Sequence, residues 1–129
     1  KNVVIRPSVK ITYPWKLTLG DYAWVGDDAV LYTLGEITIG ANSVVSQKCY
    51  LCTGSHDFMS PHFDITASPI VIGEKCWLAT DVFVAPGVSV GDGTVVGARS
   101  SVFKSLPANK ICRGNPAVVI RERVETEKL

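Results

Sequence analysis

The sequence predicts an all-β protein, a parallel β-helix, and three observations carry that expectation. Aliphatic residues recur every six positions along almost the whole chain, and the departures from six all fall at every third step. The residue four places after each aliphatic is small or β-branched in twelve of fourteen cases. A period of six is neither helical nor a simple hairpin alternation. It fits short strands joined by tight bends, each coil stacked in parallel on the one before.

The aliphatic positions are Ile5, Ile11, Leu19, Val25, Leu31, Ile39, Val45, Leu51, Ile72, Leu78, Val84, Val90, Val96 and Val102. The step is six throughout, except eight from Ile11 to Leu19 and from Leu31 to Ile39, and 21 from Leu51 to Ile72. Every longer step then lies at one edge of a three-sided coil. Ile5, Val25, Val45, Leu78 and Val96 are predicted to share one face; Ile11, Leu31, Leu51, Val84 and Val102 the second; Leu19, Ile39, Ile72 and Val90 the third. Burying one such side chain contributes about 1.5 to 3 kcal/mol, realised only where neighbouring coils cover each other. Small fourth-place residues such as Ala23, Gly35, Ser43, Cys49, Ser55 and Cys76 are expected to let the corners close; Trp15 and Leu106 are the two exceptions. Gly20, Gly26, Gly40, Gly73, Gly91 and Gly97 directly follow an aliphatic, where a tight bend with positive φ would want glycine.

At the start of the chain, Val3 stands where the corner partner of an aliphatic before Lys1 would fall, so the chain is expected to begin inside a coil with upstream sequence lost. The β-helix is expected over residues 1–116, with residues 57–71 inserted as an arm, and residues 117–129 as a C-terminal extension. Leu106-Pro-Ala-Asn109 breaks the pattern and Arg113 to Ile120 reads as a short extended closing segment. The charged run from Arg121 to Leu129 is expected to be frayed or a short helical end.

Composition narrows the function. The 129 residues are 47% hydrophobic and 19% charged, with a formal net charge of +1, ordinary for one soluble domain. Such a charge gives no reason to expect nucleic acid as a partner, and no apolar run approaches the roughly 18 residues of a membrane-spanning helix. Four cysteines do not make a secreted disulfide framework, and Cys49-Tyr-Leu-Cys52 lacks a second metal-type pair; a reducing, cytoplasmic setting is expected. Cys49 and Cys76 occupy small-residue positions of the repeat.

The stretch Cys52-Thr-Gly-Ser-His-Asp-Phe-Met59 puts His56 where the repeat breaks off and the long insertion begins. Together with Tyr32-Thr-Leu-Gly-Glu-Ile-Thr-Ile-Gly40, Ser68-Pro-Ile-Val-Ile-Gly73, Cys76-Trp77, Ala85-Pro-Gly-Val88 and Gly114-Asn-Pro-Ala117, it resembles the hexapeptide-repeat acyltransferases, especially sugar O-acetyltransferases of the maltose, galactoside and colanic acid type. The resemblance covers nearly the whole chain. It implies a left-handed β-helix, an exception to the usual right-handed crossover, assembled as a homotrimer with active sites between neighbouring subunits. It also implies acetyl-CoA-dependent O-acetylation of a sugar or glycolipid-linked hydroxyl in cell-surface polysaccharide biosynthesis, with no metal required.

Carried over residue by residue, the resemblance makes His56 the general base, a role for which imidazole is suited near neutral pH. The backbone N–H of Thr80 becomes the oxyanion donor. Trp77, Ala79, Ala98, Lys104 and Arg113 line the acetyl-CoA groove, the last two as partners for its phosphates, and Tyr32, Thr33 and Asp57 are acceptor contacts. Arg99 stands where the family commonly has glycine, and is expected to add a phosphate contact or narrow the groove.

Blander readings stand beside these. Asp57 fits turn chemistry nearly as well as a role at the site, Trp77 could pack at a subunit boundary, and Phe58, Met59 and Phe63 could wall the acceptor or anchor the loop. His62 matches no motif position and is expected to face solvent. A zinc carbonic anhydrase on this fold would need about three histidine ligands, whereas the chain has two histidines. An ice-binding solenoid would show ranked threonines, and these are absent. A non-catalytic scaffold remains the alternative, since fold does not imply function.

Overall fold

The six-residue period becomes strands of two or three residues, laid on three faces of a parallel coil; the structure is a computed structural model describing residues 1–124. The first face holds Val4–Ile5, Trp24–Val25, Val44–Val45, Trp77–Leu78 and Val95–Val96, and beyond the repeat the five-residue strand Lys110–Gly114. Lys10–Ile11, Val30–Tyr32, Tyr50–Cys52, Phe83–Val84 and Ser101–Val102 form the second. The third is built from Leu17–Leu19, Ile37–Ile39, Ile70–Ile72 and Ser89–Val90. One 3-10 turn, Pro14–Lys16, is the helical element among the described residues.

Register follows the predicted columns. Ile5 pairs with Val25, Val25 with Val45, Val45 with Leu78 and Leu78 with Val96, and Cys112 closes that column. Ile11, Leu31, Leu51, Val84 and Val102 form the second ladder, and Leu19, Ile39, Ile72 and Val90 the third, which Leu106 caps. Side chains in the middle of each column are fully buried, while Ile5 at the open end is 40% exposed because no coil covers it. Ala23, Ala29, Ser43, Cys49, Cys76, Val82, Val88, Thr94 and Ser100 are buried at the corners, small enough to let them close as expected.

Two local expectations are corrected. The glycines after the aliphatics do not have positive φ; that conformation belongs to later turn residues such as Asp28, Lys48, Asp81 and Arg99, with φ of 60°, 62°, 60° and 61°. Glycine is needed instead because the coils touch: a Cβ on Gly26 would lie 2.7 Å from the Gln47 nitrogen, and one on Gly40 2.6 Å from the Gly73 carbonyl carbon. The small-partner rule also fails at the expanded edge, where Gly35 is half-buried and Ser55 exposed, and where the exception Trp15 is 76% exposed. Thr33 and Thr53 are buried there in their place. The Thr53 hydroxyl donates to the Tyr32 carbonyl (2.5 Å) and accepts from the Gly35 N–H (2.8 Å), replacing bonds the bent backbone gives up.

The insertion is a β-hairpin. Gly54–His56 pairs antiparallel with Ile65–Ala67, so His56 sits on a strand facing Ile65, and residues 57–64 form the end of the arm. The arm ends earlier than the expected residue 71, because Ile70 and Val71 already lie in the coil, opposite Ile37 and Thr38. At the C-terminus, Ala117–Glu122 folds back antiparallel on Lys110–Gly114. Arg121 and Glu122 are therefore strand rather than frayed or helical; residues 125–129 of that expectation lie outside the described residues. Arg123 fastens the hairpin by donating to the carbonyls of Lys75 (2.9 Å) and Gly93 (3.0 Å).

Coil contact makes Gly40→Ala an overpacking substitution, expected to cost about 1 to 3 kcal/mol in urea denaturation. Gly35→Ala, whose Cβ would meet Ser68 at 3.3 Å, is expected to cost less. Burial pushes the Cys49 thiol up to about 11 and raises those of Cys76 and Cys112. Since a raised thiol pKa keeps the unreactive neutral form at mildly alkaline pH, an aromatic disulfide reagent at pH 8 is expected to titrate the half-buried Cys52 alone in the native protein. All four should react after unfolding, and rapid native labelling of Cys49 would contradict the packing.

Candidate active site

The stacked aliphatic side chains fill the interior of the coil and leave no room there for chemistry, so reactive groups have to sit on the edges. The edge between the second and third faces is the expanded one, and His56 leaves it on the first strand of the arm. Its side chain is exposed, and Nδ1 lies 2.8 Å from the Phe63 carbonyl oxygen across the hairpin. A carbonyl can only accept, so this contact requires the proton on Nδ1. The neutral ring is thereby held as the tautomer whose Nε2 carries a free lone pair.

Beside the imidazole is a cleft of about 80 Å³, lined by Tyr32, Leu34, Gly54, Ser55, His56 and Ile65. Its room depends on Gly54, where a Cβ would come within 2.6 Å of the Leu34 Cδ1 and 2.8 Å of the Tyr32 ring. The sequence reading included Tyr32 but missed Leu34, Gly54, Ile65 and the Phe63 carbonyl. The β-branched pair Ile65-Thr66 is the one sign of a returning strand that the sequence offers.

Asp57 makes no hydrogen bond to the imidazole. One of its oxygens accepts from the Met59 N–H (3.0 Å), which is turn chemistry. Thr33 is corrected outright: it is fully buried, its hydroxyl donating to the Tyr13 carbonyl (3.0 Å) and accepting from the Tyr13 N–H (2.7 Å), so no acceptor can reach it. Phe58, Met59 and Phe63 are 78%, 81% and 59% exposed at the end of the arm. His62 is exposed as expected.

The other candidate residues lie elsewhere on the same chain. Trp77 is on the outer side of the first face, half exposed, its indole N–H donating to the Ser46 hydroxyl (2.9 Å). Ala79 and Thr80 follow at the edge between the first and second faces, Ala98 and Arg99 lie one coil further, and Arg113 packs over Gly97. The Thr80 N–H meets no protein acceptor among the described residues, while its carbonyl receives the Arg99 N–H (2.9 Å). Asp27, Gln47 and Ala98 present equally free N–H groups in the same column, so Thr80 is one of a row. Arg99 is 83% exposed at its side chain, with Asp81 3.9 Å away. Lys104, one residue past Phe103, is on the His56 edge instead. A single chain thus carries His56, Tyr32, Asp57 and Lys104 on one edge and Trp77, Ala79, Thr80, Ala98 and Arg113 on another face and edge.

Among the described residues there is no cluster of three metal-ligating side chains, and no helix long and apolar enough to cross a membrane.

Comparison with known proteins agrees with this architecture. The bacterial transferase hexapeptide family, in its six-repeat form, matches residues 69–104. WcaF of Escherichia coli K12, named for acetyl transfer in colanic acid biosynthesis, is 88% identical over 127 residues, which span 98% of this chain and 70% of WcaF. The structure of a maltose O-acetyltransferase from Clostridium difficile 630 superposes with a TM-score of 0.91 at 26% identity, covering 97% of this chain and 68% of that one. A galactoside acetyltransferase in complex with coenzyme A gives 0.89 at 27% identity, with coverage of 95% and 65%. With the repeat, the three-sided coil and a near-identical relative in agreement, the chain belongs to the hexapeptide-repeat acetyltransferases.

Proposed function

We propose that this acetyltransferase moves an acetyl group from acetyl-CoA to a sugar hydroxyl in cell-surface polysaccharide biosynthesis, with His56 as general base and the site completed between subunits of a homotrimer. The observation that carries the reading is the Nδ1 contact with the Phe63 carbonyl, which leaves Nε2 free at the mouth of the cleft. WcaF supplies the pathway class, and the galactoside enzyme solved with coenzyme A supplies the donor. Drawing on acetyl-CoA assigns the work to the cytoplasm or the inner membrane face.

In this reading the acceptor lies against Tyr32, Leu34 and Ile65 with its hydroxyl toward Nε2, and Asp57 has one oxygen left for a sugar hydroxyl. Nε2 takes the hydroxyl proton as the oxygen attacks the thioester carbonyl. The C–O bond forms, the C–S bond breaks, and the proton on His56 is returned to the departing thiolate. A free N–H such as that of Thr80 receives the negative charge that builds on the carbonyl oxygen. Trp77, Ala79 and Ala98 line the path of the pantetheine arm, and Lys104 and Arg113 meet the phosphates.

These groups come together only if the edge bearing His56 meets the edge bearing Thr80 on another copy. Turning the second face toward a three-fold axis does this at each of three junctions, in a closed heterologous ring. That face is suited to an interior: Tyr50, Phe83 and Phe103 form an aromatic ladder with centroids 6.1 and 5.9 Å apart, and Tyr50 and Phe103 are 39% and 53% exposed on the single chain. The outer side of the third face carries Thr18, Thr38 and Ser89 with a single aliphatic, Val71, among them, and is better suited to water. A non-catalytic scaffold would share this assembly and would bind no coenzyme A.

Replacing His56 by alanine is expected to lower kcat by about 10²- to 10⁴-fold at saturating acetyl-CoA, with coenzyme binding kept, whereas His62→Ala should change little. Parental kcat in the His56 variant would remove the base assignment. The shared site is tested by mixing. Thr80→Pro deletes the N–H at a turn position that the chain already fills with proline in its first coil, Pro7, and should be inactive. Co-assembly with inactive His56→Ala chains is expected to restore activity, because one junction then has both groups intact. A mixed trimer as dead as its parents would refute the shared site.

A further inference from the structure

The end of the arm has little apolar burial to hold it, yet it must present a carbonyl to His56 in one direction. Phe58 and Met59 project into solvent, and Phe63, whose carbonyl is the one used, has a φ of 50°. A left-handed phenylalanine is strained and persists only where its surroundings over-determine it. The surroundings are a lattice of local hydrogen bonds. The Asp57 N–H donates to the Asp64 carbonyl (2.8 Å), the Ser60 N–H to the Asp57 carbonyl (3.1 Å), and the Phe63 N–H to the Ser60 carbonyl (3.1 Å). One bond between two side chains spans the turn: the Ser60 hydroxyl donates to Oδ2 of Asp64 at 2.9 Å.

We propose that Ser60 and Asp64 are positioning residues for the transfer reaction, acting on His56 through the Phe63 carbonyl. The inference rests on His56 being the general base. Ser60 and Asp64 bracket Phe63, so tying their side chains together fixes the peptide between them. Because the acceptor is a carboxylate, the tie is of the charge-assisted kind, stronger than a neutral one in an exposed turn. With the tie in place, the carbonyl meets Nδ1 at 2.8 Å and selects the tautomer that is basic at Nε2. Without it, the exposed turn belongs to the class of segments that open at almost no cost, and the ring divides its time between tautomers and rotamers. Neither residue need touch substrate, and Asp64 is not a partner of the imidazole in the manner of a catalytic triad. The orienting group is a backbone carbonyl, and the carboxylate holds the backbone.

The test is steady-state kinetics on the full chain with Ser60→Ala, Asp64→Ala, the Ser60/Asp64 double variant and Asp64→Asn, each also combined with His56→Ala. Each alanine variant is expected to lower kcat by about 10- to 100-fold while KM for acetyl-CoA is kept, since that substrate is held mainly on the other edge. The double variant should fall no further than either single one, because both break one bond. Asp64→Asn retains an oxygen that can accept from Ser60 and should recover most of the rate. In the His56→Ala background, Asp64→Ala should have no further effect. Nitrogen-15 spectra should show His56 protonated at Nδ1 in the parent and averaged between tautomers in Asp64→Ala. Unchanged kcat in Asp64→Ala would overturn the proposal, as would a further loss in the His56→Ala background, which would mean that the turn acts independently of the imidazole. Parental activity of His56→Ala itself would sink the base assignment instead, a separate and distinguishable failure.

Discussion

Backbone-to-backbone contact between successive coils is the constraint on which the rest depends. With Gly26 and Gly40 so near the coil above that a Cβ would collide, the stack has a fixed pitch. Each aliphatic side chain then lies directly over its counterpart, as the register of Val25 on Val45 and Leu31 on Leu51 shows. A coil of fixed pitch and fixed interior cannot absorb an extra residue inside. Additions have to leave at an edge, and here they all leave at the same one, where Thr33 and Thr53 supply the hydrogen bonds that the bent backbone loses.

That economy determines where chemistry can be done. The interior is filled with aliphatic side chains, and no buried side-chain nitrogen or oxygen is without a partner among the described residues. Reactive groups are therefore confined to the rim, in columns that repeat with each coil. The free N–H groups of Asp27, Gln47, Thr80 and Ala98 are one such column, and repetition explains why the fold alone does not mark out Thr80. What singles it out, in the function proposed, is a second copy bringing an imidazole to that level. On one chain the imidazole and the column that includes Thr80 lie on different edges.

His56 also shows how an exposed residue can be held without burial. Among the described residues no carboxylate pairs with it, and its side chain is exposed rather than enclosed. Antiparallel pairing with Ile65 sets its backbone, and the Phe63 carbonyl sets its ring. A hairpin is a sound mount for such a group because its two strands brace each other, while the end of the turn remains free to meet a substrate or a neighbouring chain.

By itself the sequence determined the three faces, the membership of each inward column, the edge that carries the insertion and the family to which the chain belongs. All of these follow from a repeat that is local along the chain and from motifs of a few residues. It placed His56 correctly at the break in the repeat, but misassigned Thr33 and the reason for the glycines. Only the tertiary structure decided those points, because they depend on neighbours far apart in sequence. Thr33 is sealed by Tyr13, 20 residues away, and Gly40 is crowded by Gly73 in the next coil. The tautomer of His56 was decided in the same way, by a carbonyl seven residues on that only a hairpin brings back within hydrogen-bonding distance. A six-residue clock records which side chains point inward, but distances across an edge depend on how one coil is laid against another.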